Sequence, residues 1–105
     1  MTDASTFRID RFDVPRPALA PFMARLRITQ RLLDERRGCR QNLVLVGAED
    51  GETVAVVTIV EWADVDAMAA AKAAMQAHYV REGFEPAAFM RELGIRPDMR
   101  AYRCA

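Results

Sequence analysis

Two consecutive stretches of this sequence leave the chain little choice of fold. Residues Asn42–Ala48 read NLVLVGA and Thr53–Trp62 read TVAVVTIVEW, both nearly continuous in apolar and β-branched side chains. Between them lies Glu49-Asp50-Gly51-Glu52, a hairpin signal, because Asp-Gly supplies a positive φ at small cost. An antiparallel strand with one wet face alternates apolar and polar residues. These two do not alternate, so both faces of their sheet are expected to be covered. A chain of 105 residues is sized for one domain spanning 1–105, with helices enough for one face. The second face is expected to meet a second copy of the chain, giving a homodimer through the sheet face.

The rest of the sequence supplies the helices and the outer strands. Phe7–Val14 reads as a first strand whose apolar residues change parity, Phe7 and Ile9 on one face and Phe12 and Val14 on the other. Pro15, Pro17 and Pro21 then mark a helix whose regular part starts near Ala18 to Ala20, since proline is tolerated only in the first turn. Leu19, Phe22, Met23, Leu26, Thr29 and Leu33 fall on one stripe at helical spacing. Gly38 is read as that helix's left-handed stop. After the hairpin, Asp64 is an N-cap candidate, and Gly83 ends an Ala-rich helix. Glu85 and Pro86 open a short one that Gly94 closes. Met99–Cys104 is the last strand. The order β-α-β-β-α-(α)-β is the α+β, ferredoxin-like pattern with an antiparallel sheet.

Composition excludes several functions. Formal net charge is zero, and the arginines are spread along the chain rather than clustered. A nucleic-acid partner calls for concentrated positive charge, so none is expected. No apolar run approaches the roughly 20 residues that span a bilayer, and the N-terminus lacks a signal-peptide core. Cys39 and Cys104 are far apart and in no metal or redox spacing. With one histidine, a dedicated zinc site is not expected either. The expectation is a cytoplasmic protein with no metal and no membrane partner.

At this point the chain resembles the antibiotic-biosynthesis-monooxygenase family of dimeric α+β barrels. The likeness rests on the opening strand and proline-marked helix (FRIDRFDVPRPALAPFMARL), Gly38-Cys39 after that helix, Glu61-Trp62 ending the third strand, and His78-Tyr79 near the end of the Ala-rich helix. It covers about Phe7 to Tyr102. Two departures stand out: Arg37 replaces the family's usual proline before Gly-Cys, and GFEPAAFMRELGI (83–95) is a longer insert able to reshape or lid a pocket. The resemblance implies a homodimer with sheets packed face to face and a small-molecule pocket between sheet and helices. It also implies oxidation of an electron-rich aromatic or quinol by molecular oxygen with no cofactor. The first strand has no Asn, which disfavours the haem degradation some relatives perform.

His78 is the candidate catalytic residue, a general base whose natural range is near neutral pH. The alternative is a helix-end histidine bonded to a carbonyl. Trp62 and Tyr79 are candidates to wall a pocket and bond a substrate oxygen, or to pack the core edge. Asn42 can polarise a substrate carbonyl if it points inward, and can equally be a strand-entry residue. Met68 and Met75, with Met90, can line an adaptable pocket or fill the core. Lys72 reads as a snorkelling surface lysine rather than an activated nucleophile, and Tyr102 as a core-edge cap rather than a donor to a substrate oxygen. Two further readings remain beside the cofactor-independent monooxygenase: a non-catalytic dimeric module that binds a small ligand, and, last, an RNA-binding domain of the same topology.

Overall fold

A computed structural model of the chain describes residues 4–105. Strands β1 (Thr6–Pro15), β2 (Cys39–Val46), β3 (Thr53–Trp62) and β4 (Arg96–Arg103) form one antiparallel sheet in the order β2-β3-β1-β4. Helices α1 (Leu19–Asp34), α2 (Val65–Glu82) and α3 (Pro86–Leu93) pack on one side of it. A 3-10 turn at Arg16–Ala18 takes up Pro17 and leads into α1, where the proline pattern places the start. The expected β-α-β-β-α-α-β order is therefore the observed one.

Strand pairing fixes which side chains share a face. Val44, Thr58, Asp10 and Met99 lie in one rung across the sheet, and Asn42, Val60, Arg8 and Ala101 in another. Both rungs face the helices. Farther along β1, Phe12 and Val14 point the same way and join Ala18, Phe22, Val56, Met90 and Ile95 in the main core. Phe12 and Phe22 meet edge to face at 5.0 Å between centroids. Val60, Trp62 and Ala71 form a second, smaller cluster under α2.

The opposite face carries Leu43, Ile59 and Ile9 in one rung, with Leu45 and Val57 in the next. No helix covers it, and Leu43 is 37% exposed and Leu45 48%. This is why β2 and β3 fail to alternate: one apolar face meets the helices and the other meets solvent in the isolated chain.

Several local expectations hold. Asp64 caps α2, its Oδ1 accepting from the Ala67 N–H at 2.7 Å. Gly83 and Gly94 close α2 and α3 with φ of 70° and 71°, and Pro86 sits at the start of α3. Three expectations are corrected. Gly51 does not have a positive φ; the link is a longer loop after Gly47, whose N–H donates to the Ala55 carbonyl at 2.8 Å. Helix α1 ends at Asp34, four residues before Gly38, because two successive turns follow it, with Arg36 N–H bonded to Leu33 O and Cys39 N–H to Arg36 O. Strand β4 begins at Arg96 rather than Met99, since Pro97 is tolerated on an edge strand.

Gly38 still has a specific task. Its φ is 85°, and a Cβ there would stand 2.6 Å from the Ala67 Cβ. Gly83, at φ 70°, has nothing within 4 Å. Gly38→Ala is expected to cost roughly 2–5 kcal/mol, combining left-handed strain with overpacking, and Gly83→Ala only about 1 kcal/mol. Urea unfolding of the two variants checks this. Equal costs would mean that the Gly38–Ala67 approach relaxes freely.

Candidate functional site

Between the inner sheet face and the three helices lies a cleft of about 720 Å³. That is within the range of small-molecule sites. Its walls are mainly apolar, from residues such as Phe22, Leu26, Val44, Val60 and Phe89. Segment 83–95, the insert seen in the sequence, contributes Phe84, Pro86, Phe89 and Met90 to the wall.

On the floor of this apolar cleft sits an ion pair. Arg8 and Asp10 stand two residues apart on β1, so they share a face. Arg8 Nε donates to Asp10 Oδ1 at 2.6 Å. The Asp10 side chain is 16% exposed. Burial pushes its carboxyl above the ordinary carboxylate value, and the hydrogen bond and charge of Arg8 offset only part of that rise. A carboxyl held in this way can accept a proton and return it. Arg8 uses only Nε on Asp10, which leaves its two terminal nitrogens as donors for an oxygen in the cleft. Thr58 stands directly across from Asp10 on β3.

A second charged group closes the other side. Arg25, on α1, donates from Nη1 and Nη2 to the two oxygens of Glu82 on α2, each at 2.6 Å. Its guanidinium lies 3.5 Å over the Phe84 ring. The Arg25 hydrogen bond, more than its charge, holds the Glu82 carboxyl below the ordinary value.

The sequence-derived candidates divide. Trp62, Tyr79, Asn42, Met68 and Met75 all line the cleft. Trp62 and Met75 are buried, at 3% and 8% exposure, so they also serve as core. Asn42 commits both N–H bonds of its side chain elsewhere, to Gln30 O and to Asp34 Oδ1 at 2.9 Å each. It clasps β2 to α1 and has no N–H left for a substrate carbonyl. His78 is not among the residues lining the cleft; its Nε2 lies 3.5 Å from Glu82 Oε1. One residue on a helix is about 100° of rotation, so Tyr79 faces the cleft and His78 does not. Lys72 lies on the cleft rim, exposed. Burial first, and Asp34 second, push the Cys39 thiol up.

Arg8, Asp10 and Arg25 escaped the sequence reading. The signal for the first two was present: they share strand parity with Phe12 and Val14, on the face that is buried. Among the described residues, no three His, Cys, Asp or Glu side chains gather where they could hold a metal ion, and no helix is long and apolar enough to cross a membrane.

No protein-family model matches this sequence, and no curated protein matches it significantly. Solved structures do match. A dimeric ferredoxin-like protein from an uncultured marine organism superposes with a TM-score of 0.73 at 13% identity, covering 97% of this chain and 96% of that one. A single-residue variant of SnoaB, a cofactor-independent oxygenase from Streptomyces nogalater, superposes with a TM-score of 0.73 at 24% identity, covering 98% and 94%. A protein provisionally named an antibiotic biosynthesis monooxygenase, from Nitrosomonas europaea, gives 0.69 at 15% identity, covering 99% and 93%. The chain has their fold. That fold is the one the sequence resemblance implied, over nearly its full length.

Proposed function

We propose that this protein is a cofactor-independent monooxygenase that oxidises a small phenolic or hydroquinone-type ring in the cleft. The observation that carries this reading is the Arg8–Asp10 pair on the floor of an otherwise apolar cleft. Its support from outside the chain is the fold, shared with SnoaB, a cofactor-independent oxygenase.

The chemistry balances without an external reductant. Asp10 takes the phenol proton, and Arg8 holds the resulting phenolate oxygen. The phenolate passes one electron to oxygen, and the two radicals join at a ring carbon to form a C–O bond. Asp10 returns its proton to the outer peroxide oxygen. The ring C–H then loses its proton, the O–O bond breaks, and hydroxide leaves as water. One oxygen atom ends in a quinone carbonyl and the other in water, and the substrate supplies all four electrons. Trp62 and Tyr79 flank the ring, Met68 and Met75 shape the wall, and closing out water strengthens the Arg8 interaction. In this reading Asp10, on the cleft floor, carries the proton transfer.

We further propose a homodimer through the open sheet face, which would cover the Leu43–Ile59–Ile9 rung. Two free thiols, Cys39 and Cys104, suit a reducing, cytoplasmic setting.

A panel of phenols, hydroquinones and polycyclic phenols tests the activity, read first as thermal stabilisation and then as oxygen uptake. Ligand at about 100 times Kd should stabilise by about 2.7 kcal/mol. The expected result is a stabilising compound that consumes one oxygen molecule per quinone formed. Stabilisation without oxygen uptake would replace the monooxygenase with the ligand-binding module. No stabilisation by any compound would remove both.

A further inference from the structure

One side chain on the inner face of the sheet is out of keeping with its strand. Toward the helices β3 presents Val54, Val56, Thr58, Val60 and Trp62, and the other four are buried. Valine has the branching and the β-propensity of threonine without the hydroxyl, so packing alone gives no reason for Thr58. A hydroxyl held among apolar neighbours costs free energy unless something bonds it. Other polar side chains on this face have partners. Thr6 Oγ1 donates to the Tyr102 carbonyl at 3.1 Å, Asn42 Nδ2 to Gln30 O and Asp34 Oδ1, and Arg8 Nε to Asp10. Thr58 Oγ1 has none among the described residues. Nor is it sealed from solvent in the way that Arg25 Nε is. Thr58 lines the cleft on an interior strand of the sheet, so the space its hydroxyl meets is the cleft.

The place of that hydroxyl decides what it can bond. Thr58 and Asp10 are directly opposed across β3 and β1, which sets their Cβ atoms about 4.5–5.5 Å apart. Asp10 Oδ1 is taken by Arg8 Nε at 2.6 Å. The second carboxylate oxygen of Asp10 and the two terminal nitrogens of Arg8 have no partner among the described residues. The floor therefore offers donors and an acceptor at the ion pair, and beside them a hydroxyl that both donates and accepts. A single ring oxygen is satisfied at the pair and leaves Thr58 unused. An oxygen on the neighbouring ring carbon stands about one hydrogen-bond length from the first, which carries it across to Thr58. An oxygen on a more distant carbon points away from the pair, toward walls that are mainly apolar, and its lost hydration is not replaced.

We propose that Thr58 sets the specificity of the cleft: the preferred ring carries oxygens on two neighbouring carbons, the first held by Arg8 and Asp10 and the second by Thr58 Oγ1. This rests on the reading of the cleft as a phenol site and not on the oxygen chemistry, so its test is a binding measurement under nitrogen. Titration calorimetry of the full chain with 2,3-dihydroxynaphthalene, its 2,7 isomer and 2-naphthol separates the two claims. The isomers have the same atoms and differ in the spacing of their oxygens. Wild type is expected to bind the 2,3 isomer at least about fivefold tighter than the 2,7 isomer, the ordinary worth of one hydrogen bond. Thr58→Val, which keeps the branching and removes the hydroxyl, should bring that ratio to about one, and Thr58→Ser should keep most of it. Thr53→Val, on the same strand but exposed and outside the cleft, should show the wild-type ratio. Wild type that binds the isomers equally, or a preference that survives Thr58→Val, overturns the role of Thr58, and 2-naphthol that still binds leaves the phenol site standing. Failure of all three compounds to bind overturns both.

Discussion

For the proposed oxygenase, Asp10→Asn is expected to lower oxygen-dependent turnover by roughly 10²–10⁴-fold, the usual contribution of a positioned acid–base group, and to leave the fold intact. The two side chains have nearly the same shape, and the amide still offers an oxygen to Arg8. Arg8 is 34% exposed, so water can satisfy its remaining donors. What the variant loses is the capacity to take a proton. The pH dependence follows from the same group. Burial holds the Asp10 carboxyl above its ordinary value of 3.8, with Arg8 opposing. Activity needs the ionised form, so its acid limb should lie above the ordinary carboxylate range. The sign for stability runs the other way. A carboxyl whose folded pKa is raised binds its proton more tightly in the folded state, so its contribution is fully present below the unfolded value and fades as pH rises through the folded one. Asp10→Asn should remove that component from the stability curve. An Asp10→Asn protein with wild-type turnover would take the base out of the cleft altogether.

For the proposed dimer, Ile59→Glu is expected to give a monomer of 11.8 kDa, seen as a halving of mass in sedimentation. Ile59 sits between Leu43 and Ile9 in the central rung of the open face. A specific interface there should exceed about 1,000 Å², with its energy concentrated near the centre. An unpaired carboxylate at that point is desolvated with no cation opposite, which costs several kcal/mol and is enough to raise Kd by more than about a hundredfold. Val65→Glu is the control, since Val65 is 62% exposed at the start of α2 and lies off the sheet. Dimers surviving Ile59→Glu would place the contact elsewhere.

Much of the fold was legible because the signals were local and chemically strict. Asp64 before an Ala-rich run, Pro86 at a helix start, and Gly83 and Gly94 after helix ends each have one cheap solution, and the chain adopts it. The lack of alternation in β2 and β3 reported a sheet with two apolar faces. Gly51 misled, because an Asp-Gly pair favours a tight turn only when the strands run right up to it. Here β2 stops at Val46, which leaves the loop room for ordinary φ values. The helix end at Asp34 was hidden because Gly38 serves the turn into β2, where its missing side chain makes room for Ala67.

The cleft was legible in its walls and not in its charged floor. Trp62, Tyr79, Met68 and Met75 are large, apolar or amphipathic, and all four line it. His78 drew attention as the sole histidine, but helix rotation carries it away from the cleft. Arg8 and Asp10 went unnoticed because charged residues on a strand are read as its wet face. Only the parity they share with Phe12 and Val14 argued otherwise. The Arg25–Glu82 pair joins residues 57 positions apart, a contact that no local pattern encodes.

The most direct test of the central claim is a crystal structure of the protein soaked without oxygen in its best-stabilising phenol. The expected result is a ring lying between the inner sheet face and α2, beside Trp62 and Tyr79, with its hydroxyl within hydrogen-bond distance of Arg8 and Asp10. A phenol bound elsewhere, or held in the cleft with its hydroxyl turned away from that pair, would contradict it.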